Sequence, residues 1–445
     1  MTFIRFLLSL VFLLCSAILT AQNDFTIDNR KGKDKISFEL VNNLIMIPVE
    51  VNGVELSFLL DSGAANTVIF SFEERDSLLL NQATPIMLRG LSAEAPVPAI
   101  KSKKNTVRIG DAVKQNQTIY VVFDGSLRLS ARLGVPVHGI IGYDFFKDFV
   151  VEIKYSTQKI RFYRPDVYKP RNCRKCREMP LTFSKNKPYL FAEITDSLKS
   201  KKAVKLLIDS GSSDALWLFE NDSLGITVPH KAFDDYLGVS INGNIYGKRS
   251  KISDFWMKEF HLEKVNVAFP DLTAFEEADF FKGRNGSIGG GLLKRFDVVF
   301  DYQDERIILK KNRYFKRPFY YNMSGLVLEQ GSLTVAKRLA QSSTPYELGD
   351  ESKNTSATFT VANHENYELS LERLYVVADI RKDSPAEKAG IQVGDEVVEI
   401  NNKPVYEYKL YEINEFFYTN KPKRITLKIL RNNKQRRISF VLEDF

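Results

Sequence analysis

Ser57-Phe58-Leu59-Leu60-Asp61-Ser62-Gly63-Ala64 and, much later, Val204-Lys205-Leu206-Leu207-Ile208-Asp209-Ser210-Gly211-Ser212 share one plan: an apolar run that ends in Asp-Ser-Gly. A lone Asp-Ser-Gly suits any tight turn, because Gly accepts positive φ while Asp and Ser bond to nearby backbone. The sequence downstream of each copy makes the pair informative. Gly139-Ile140-Ile141-Gly142-Tyr143-Asp144-Phe145-Phe146-Lys147-Asp148-Phe149-Val150-Val151 begins about 78 residues after Asp61, and Gly286-Ser287-Ile288-Gly289-Gly290-Gly291-Leu292-Leu293-Lys294-Arg295-Phe296-Asp297-Val298 about 77 after Asp209. Laid together without gaps, they share Gly139 with Gly286, Ile141 with Ile288, Gly142 with Gly289, Lys147 with Lys294, Phe149 with Phe296 and Val151 with Val298, and the match runs on to Tyr155 with Tyr302 and Ile160 with Ile307. An internal duplication of about 140 residues predicts two similar lobes. If the two Asp turns face each other across a pseudo-twofold axis, their carboxylates, about 3 Å apart, cannot both ionise and share one proton. The ionised oxygen then activates a water while the protonated carboxyl polarises a carbonyl.

The order of elements resembles the pepsin and retropepsin clan: a strand, Asp-Ser-Gly-Ala or Asp-Ser-Gly-Ser, a long β-rich stretch, then a hydrophobic-hydrophobic-Gly element, a short helix and a closing hairpin. The resemblance covers roughly residues 30 to 315. It implies a mainly β, bilobed, barrel-like fold in which Asp61 and Asp209 are the catalytic dyad, Ser62 and Ser210 brace the paired loops, and Gly63 and Gly211 admit close backbone approach. It also implies that Ile141-Gly142 and Ile288-Gly289 cross beside the Asp loops. The candidate lobe-one flap, Met87 to Ala93 around Gly90, lacks the aromatic of pepsin flaps and looks more like a retropepsin flap; its lobe-two counterpart is Gly238 to Gly247 around Gly243. Tyr246 in that segment reads more readily as an edge-strand aromatic than as a substrate contact. Retropepsins assemble their dyad from two chains, whereas this chain holds both halves, so a monomeric catalytic unit suffices.

With 445 residues and 44% apolar content, the chain can bury more than one core, and length alone suggests about three units. Arg5, the apolar run Phe6 to Leu14 and Thr20-Ala21-Gln22 read as a signal peptide over residues 1–21, which makes the protein exported, to the periplasm or beyond the cell. Cys15 reads as part of that segment, because Leu14 before it is large where lipid-modified cysteines want a small residue. No later segment reaches the ~18 apolar residues of a membrane span. The formal charge of +8 favours acidic surfaces only mildly, and no zinc-finger, helix-turn-helix or aromatic-plus-basic platform pattern points to nucleic acid.

Cys173-Arg174-Lys175-Cys176 admits three readings: a local disulfide, a redox pair or half of a zinc site. Zinc wants two further ligands, and His138, His230, His261 and His364 stand apart from one another. A disulfide in an inter-lobe linker, residues 166–187, is the preferred reading in an oxidising compartment. Asn52-Gly53 predicts a hairpin between Ile45–Val51 and Val54–Leu60. In lobe two, Tyr189–Ile194 and Ala203–Ile208 make the corresponding pair. Asp144 reads as a helix-start residue bonded to backbone amides rather than as a third catalytic carboxylate.

The last third is a different module. Asp383-Ser384-Pro385-Ala386-Glu387-Lys388-Ala389-Gly390-Ile391-Gln392-Val393-Gly394-Asp395-Glu396-Val397-Val398-Glu399-Ile400-Asn401-Asn402 resembles a PDZ domain, an α+β fold. Ser384 suits an N-cap, Pro385 the first helical position, Glu387 a capping box and Gly390 the helix end. By resemblance, a peptide ligand, often a free C-terminus, adds a strand beside a carboxylate-holding loop, for which Ser324-Gly325-Leu326-Val327 is the candidate. Leu410, with Ile413 and Phe417, would line one groove wall or belong to the core. The run from Gln341 to Thr358 reads as a polar loop inside this unit.

The resulting expectation is a lobe over 30–165, the linker, a second lobe over 188–315 and a PDZ domain over 318–445. Its activity would be that of an aspartic endopeptidase on peptide or protein substrates, with the PDZ domain recruiting or gating them. It calls for no cofactor and no metal. Two rivals remain at this point: a catalytically inactive peptide-binding scaffold of the bacterial envelope, and a thiol-disulfide enzyme using Cys173 and Cys176.

Overall fold

The computed structural model describes residues 24–443 except 71–76, 89–95, 124–127, 171, 196–199, 241–242, 272–282, 340–366 and 420–421. The expected signal peptide, the flap residue Gly90 and the 341–358 run lie outside the described residues. Among the described residues no helix is long and apolar enough to cross a membrane.

Each lobe is a sheet organised around its own Gly-initiated strand. In lobe one Gly139–Ile141 runs parallel to Val54–Leu60, with Gly139 opposite Phe58, and antiparallel to Thr67–Ile69. In lobe two Gly286–Gly289 runs parallel to Lys201–Asp209 and antiparallel to Leu216–Leu218. The Asp loop in each case joins the two strands that flank the Gly strand. The feeding hairpins arise from local chemistry. Asn52 and Gly53 take φ of 48° and 87°, so Val54–Leu60 folds back on Leu44–Val51 through a two-residue turn. Lys187–Thr195 pairs with Lys201–Asp209 in the same role.

The lobes meet in a shared six-stranded sheet. Its central pairing sets Val150–Lys154 against Phe296–Asp301, with Glu152 opposite Val299. Those two are equivalent positions in the duplication, so the pseudo-twofold axis passes between them. Beneath it Phe145, Phe146, Phe149, Phe162, Phe296 and Phe300 are fully buried in a core continuous between the lobes.

The connection expected over 166–187 is not only a linker. Cys176–Pro180 is the edge strand of the shared sheet, paired with Arg306–Lys311, and Thr182–Ser184 already belongs to lobe two. One buried side chain, Met179, anchors the first of these strands, too little alternation to announce it in sequence. Cys173 and Cys176 form a disulfide at its start.

The C-terminal unit has its own sheet, in the order Leu326–Leu339, Tyr367–Ile380, Glu396–Ile400, Arg424–Arg431, Lys434–Val441, and its own core. Ser384 caps the Pro385–Lys388 helix by accepting from Glu387 N–H, and Gly390 takes φ of 85° after it. Leu410, Ile413 and Phe417 on the Leu410–Phe417 helix are all fully buried, so Leu410 lines no open groove.

Candidate active site

Asp61 ends the Val54–Leu60 strand and Asp209 the Lys201–Asp209 strand, and the parallel Gly strands hold both ends in place. The loops grip each other reciprocally. Ser62 N–H donates to Ser210 Oγ at 2.9 Å and Ser210 N–H to Ser62 Oγ at 3.0 Å. Each hydroxyl donates in turn to the strand end of the other lobe, Ser62 Oγ to Ile208 O and Ser210 Oγ to Leu60 O, both at 2.8 Å. Both serines are fully buried, so these four bonds satisfy groups that water does not reach.

The grip brings the carboxylates together. Asp61 Oδ1 accepts from Gly63 N–H at 2.7 Å and from Gly211 N–H of the opposite loop at 3.2 Å, while Asp209 Oδ1 accepts from Gly211 N–H at 3.1 Å. A Cβ on Gly211 would lie 2.4 Å from Asp61 Cγ, so only glycine fits there; one on Gly63 would lie 3.1 Å from Asp209 Cγ. Gly142 is as constrained from below, since a Cβ would stand 2.1 Å from Asp61 O. Burial, the negative charge of Asp209 and a hydrogen bond with it push the Asp61 carboxyl up to about 8, against the pull of Gly63 N–H. The surroundings of Asp61 therefore favour its neutral form.

Lobe two adds charge that the sequence did not announce. Lys187 is partly buried near both carboxylates; burial, with the like charge of Arg284, holds its ammonium below the usual lysine range against the attraction of Asp209 and Asp61. Nothing marked it in sequence, because a lysine directly after a Lys185-Asn186 turn reads as a surface residue. Tyr302, stacked on Phe146 with ring centroids 5.3 Å apart, donates a long 3.5 Å bond to Ser62 O under the dyad.

Asp144 stands in the first turn of the Tyr143–Phe146 helix, as expected, but its partners are side chains and not backbone amides: Lys114 Nζ at 3.0 Å and Gln117 Nε2 at 2.7 Å. Around the cleft, the lobe-one hairpin of Thr84–Leu88 and Val97–Ile109 is described up to Leu88 opposite Val97. The lobe-two hairpin pairs Phe233–Ser240 with Gly243–Met257, which puts Gly243 opposite Ser240 at its tip. Tyr246 packs edge-on against Tyr236, centroids 5.7 Å apart, and stays about half exposed.

In the C-terminal unit Gly325 has φ of 80° and Leu326 is buried. The amides of this loop are already bonded: Ser324 and Gly325 N–H donate to Asn322 Oδ1, and Leu326 N–H to Ser324 Oγ. Among the described residues no three His, Cys, Asp or Glu side chains gather to hold a metal ion.

Residues 47–145 match the family model for aspartyl proteases, and residues 376–431 the model for PDZ domains. Among solved structures, the crystal structure of aspartic proteinase from Irpex lacteus is similar at 13% sequence identity and a TM-score of 0.39, covering 64% of this chain and 99% of that one.

Proposed function

We propose that this aspartyl protease with a C-terminal PDZ domain is an endopeptidase whose dyad is Asp61 and Asp209. The observation that carries the reading is the reciprocal serine grip that sets the Asp61 and Asp209 carboxyls side by side over the Gly63 and Gly211 amides. A water between the carboxyls loses a proton to the ionised member as its oxygen attacks the peptide carbonyl carbon, and the Asp61 proton passes to the carbonyl oxygen. In the collapse of the resulting gem-diol the proton taken from water goes to the departing nitrogen, the C–N bond breaks, and Asp61 recovers its proton from the diol. Nothing in this cycle needs a metal, a thiol or a second chain.

The PDZ domain, on this reading, recruits or gates peptide substrates, and the protein works outside the cytoplasm, in the periplasm or released. The N-terminal residues 1–21 support export. Cleavage mapping by mass spectrometry on a peptide library, with Asp61→Asn and Asp209→Asn as controls, tests the proposal. Internal cuts lost in both variants support it. Cuts only at chain ends point to an exopeptidase, and near-wild-type turnover in a variant removes the dyad assignment.

A further inference from the structure

The strand that a PDZ ligand would extend is not open. Leu326–Leu339 is the edge strand of its sheet, so its free side is where an added peptide strand would pair. The Leu129–Leu133 helix of lobe one packs against it. Arg128, just ahead of that helix, reaches Glu329 of the edge strand at 3.0 Å, and the Glu329 side chain is only 9% exposed. At the other wall Gly134, which closes the helix, abuts Leu410: a Cβ there would stand 2.4 Å from Leu410 Cβ. Tyr411 reaches out of the PDZ unit to pack on the lobe-one cluster that contains Leu133, and its hydroxyl donates to Glu39 at 3.2 Å. At the far end of the groove Met323 N–H bonds to Phe417 O, which ties the Ser324–Leu326 loop to the end of the Leu410–Phe417 helix.

The same helix holds lobe two. Arg132 bonds to the Tyr236 hydroxyl and, at 3.0 Å, to Oδ1 of Asn244, which adjoins Gly243 at the tip of the candidate lobe-two flap; its guanidinium sits 5.1 Å over the Tyr236 ring. One short helix thus touches the PDZ edge strand, the PDZ helix and the lobe-two hairpin at once.

We propose that the Arg128–Gly134 segment is a ligand in cis for the PDZ domain: it occupies the peptide groove, and a peptide with a free apolar C-terminus must displace it, which also loosens the Arg132 hold on the lobe-two hairpin and opens the cleft. The coupling to proteolysis rests on the endopeptidase reading; the occupancy of the groove does not. A ligand moves such an equilibrium only by binding the displaced state better, so anything that weakens the cis contact raises both peptide affinity and turnover.

The test is a charge swap in the full mature chain: Arg128→Glu, Glu329→Arg and the double variant. Three quantities are read in each: amide hydrogen exchange over 129–134, binding of a pool of decapeptides ending in a free Val, Leu or Phe, and kcat/KM on a short fluorogenic peptide. Each single variant is expected to speed exchange, tighten peptide binding by about fivefold and raise kcat/KM by a similar factor, and the double variant to return all three toward wild type. The return separates loss of the latch from loss of the fold. Unchanged exchange and binding in both single variants, or a double variant no better than the singles, overturns the proposal. If exchange and binding respond while no protein shows turnover, the latch stands and the endopeptidase reading falls. If turnover is robust but insensitive, the groove is occupied in cis and the coupling to the cleft is wrong.

Discussion

The two Asp loops are near copies of each other, yet the lobes that carry them are not. At the loops, the N–H and Oγ bonds of Ser62 are mirrored by those of Ser210, because two facing turns demand the same geometry from both sides, while the Tyr302 bond to Ser62 O belongs to one side alone. Beyond the loops the symmetry ends. Lobe two supplies Lys187 and Arg284 beside the pair, while lobe one supplies the helix that reaches the PDZ domain. Even between the loops the fit is unequal: a Cβ on Gly211 would intrude on Asp61 at 2.4 Å, whereas one on Gly63 would meet Asp209 at 3.1 Å. The chemistry constrains what is shared, and the surroundings are left to differ and to tune.

The most severe way to break the symmetry is at the carboxylates. Asp61→Asn and Asp209→Asn should each lower kcat by on the order of 10⁴-fold, since an amide neither accepts nor returns the shared proton. Circular dichroism should show both variants folded. A large loss in one variant alone would mean that a single Asp carries the reaction.

The glycines sharpen the comparison. Gly211→Ala must push Asp61 or the loop aside by a good fraction of an ångström, and displacements of that size at a reacting group cost about a hundredfold in kcat. Gly63→Ala asks only a few tenths of an ångström and should lose distinctly less. Equal losses from the two substitutions would show that the loops relax symmetrically and that the unequal fit has no consequence.

The serines should behave as equals. Ser62→Ala and Ser210→Ala each leave one buried amide of the opposite loop and one strand-end carbonyl without a partner, which costs about 1–3 kcal/mol of stability. Chemical denaturation measures it. A difference between the two variants larger than that spread would place the asymmetry of the lobes inside the grip itself.

These contrasts also explain which features the chain discloses by itself. The Asp-Ser-Gly turns, the Gly strands and the Ser384–Gly390 helix were legible because each needs particular residue types at fixed spacing, and the duplication repeats the need. The family match over 47–145 covers the Asp61 half alone, so the Asp209 half rests on the repeat and on the parallel pairing of Gly286–Gly289 with its Asp strand. The Cys176–Pro180 strand was hidden by its short, mostly exposed pattern. Lys187 was hidden because nothing local distinguishes a lysine that turns inward from one in water. The contact of Arg128 with Glu329 joins residues far apart in sequence and belongs to no periodic pattern. Leu410 carried the right spacing for a groove wall, but spacing alone does not say what covers it.

The smallest effect tests whether the lobe-two cation tunes the shared proton. Burial and the charge of Asp209 push the Asp61 carboxyl up to about 8 from an ordinary 3.8, so on the dyad reading the proton held through neutral pH is lost as pH rises through about 8. The kcat/KM profile should therefore fall on its alkaline side near there. Lys187 works against this elevation, because its positive charge favours the ionised form of Asp61. Lys187→Met should move the alkaline limb upward, with kcat at the optimum little changed. Stability carries the same sign. A carboxyl whose folded value is raised contributes fully below about pH 4 and loses that contribution as pH climbs toward 8, because the unfolded chain sheds its proton first. The melting temperature should fall over that window in the wild-type protein, fall over a slightly wider one in Lys187→Met, and lose that part of its pH dependence in Asp61→Asn. A limb that stays in place in Lys187→Met, while Asp61→Asn flattens the melting curve, would leave Asp61 as the elevated group and remove Lys187 from its tuning.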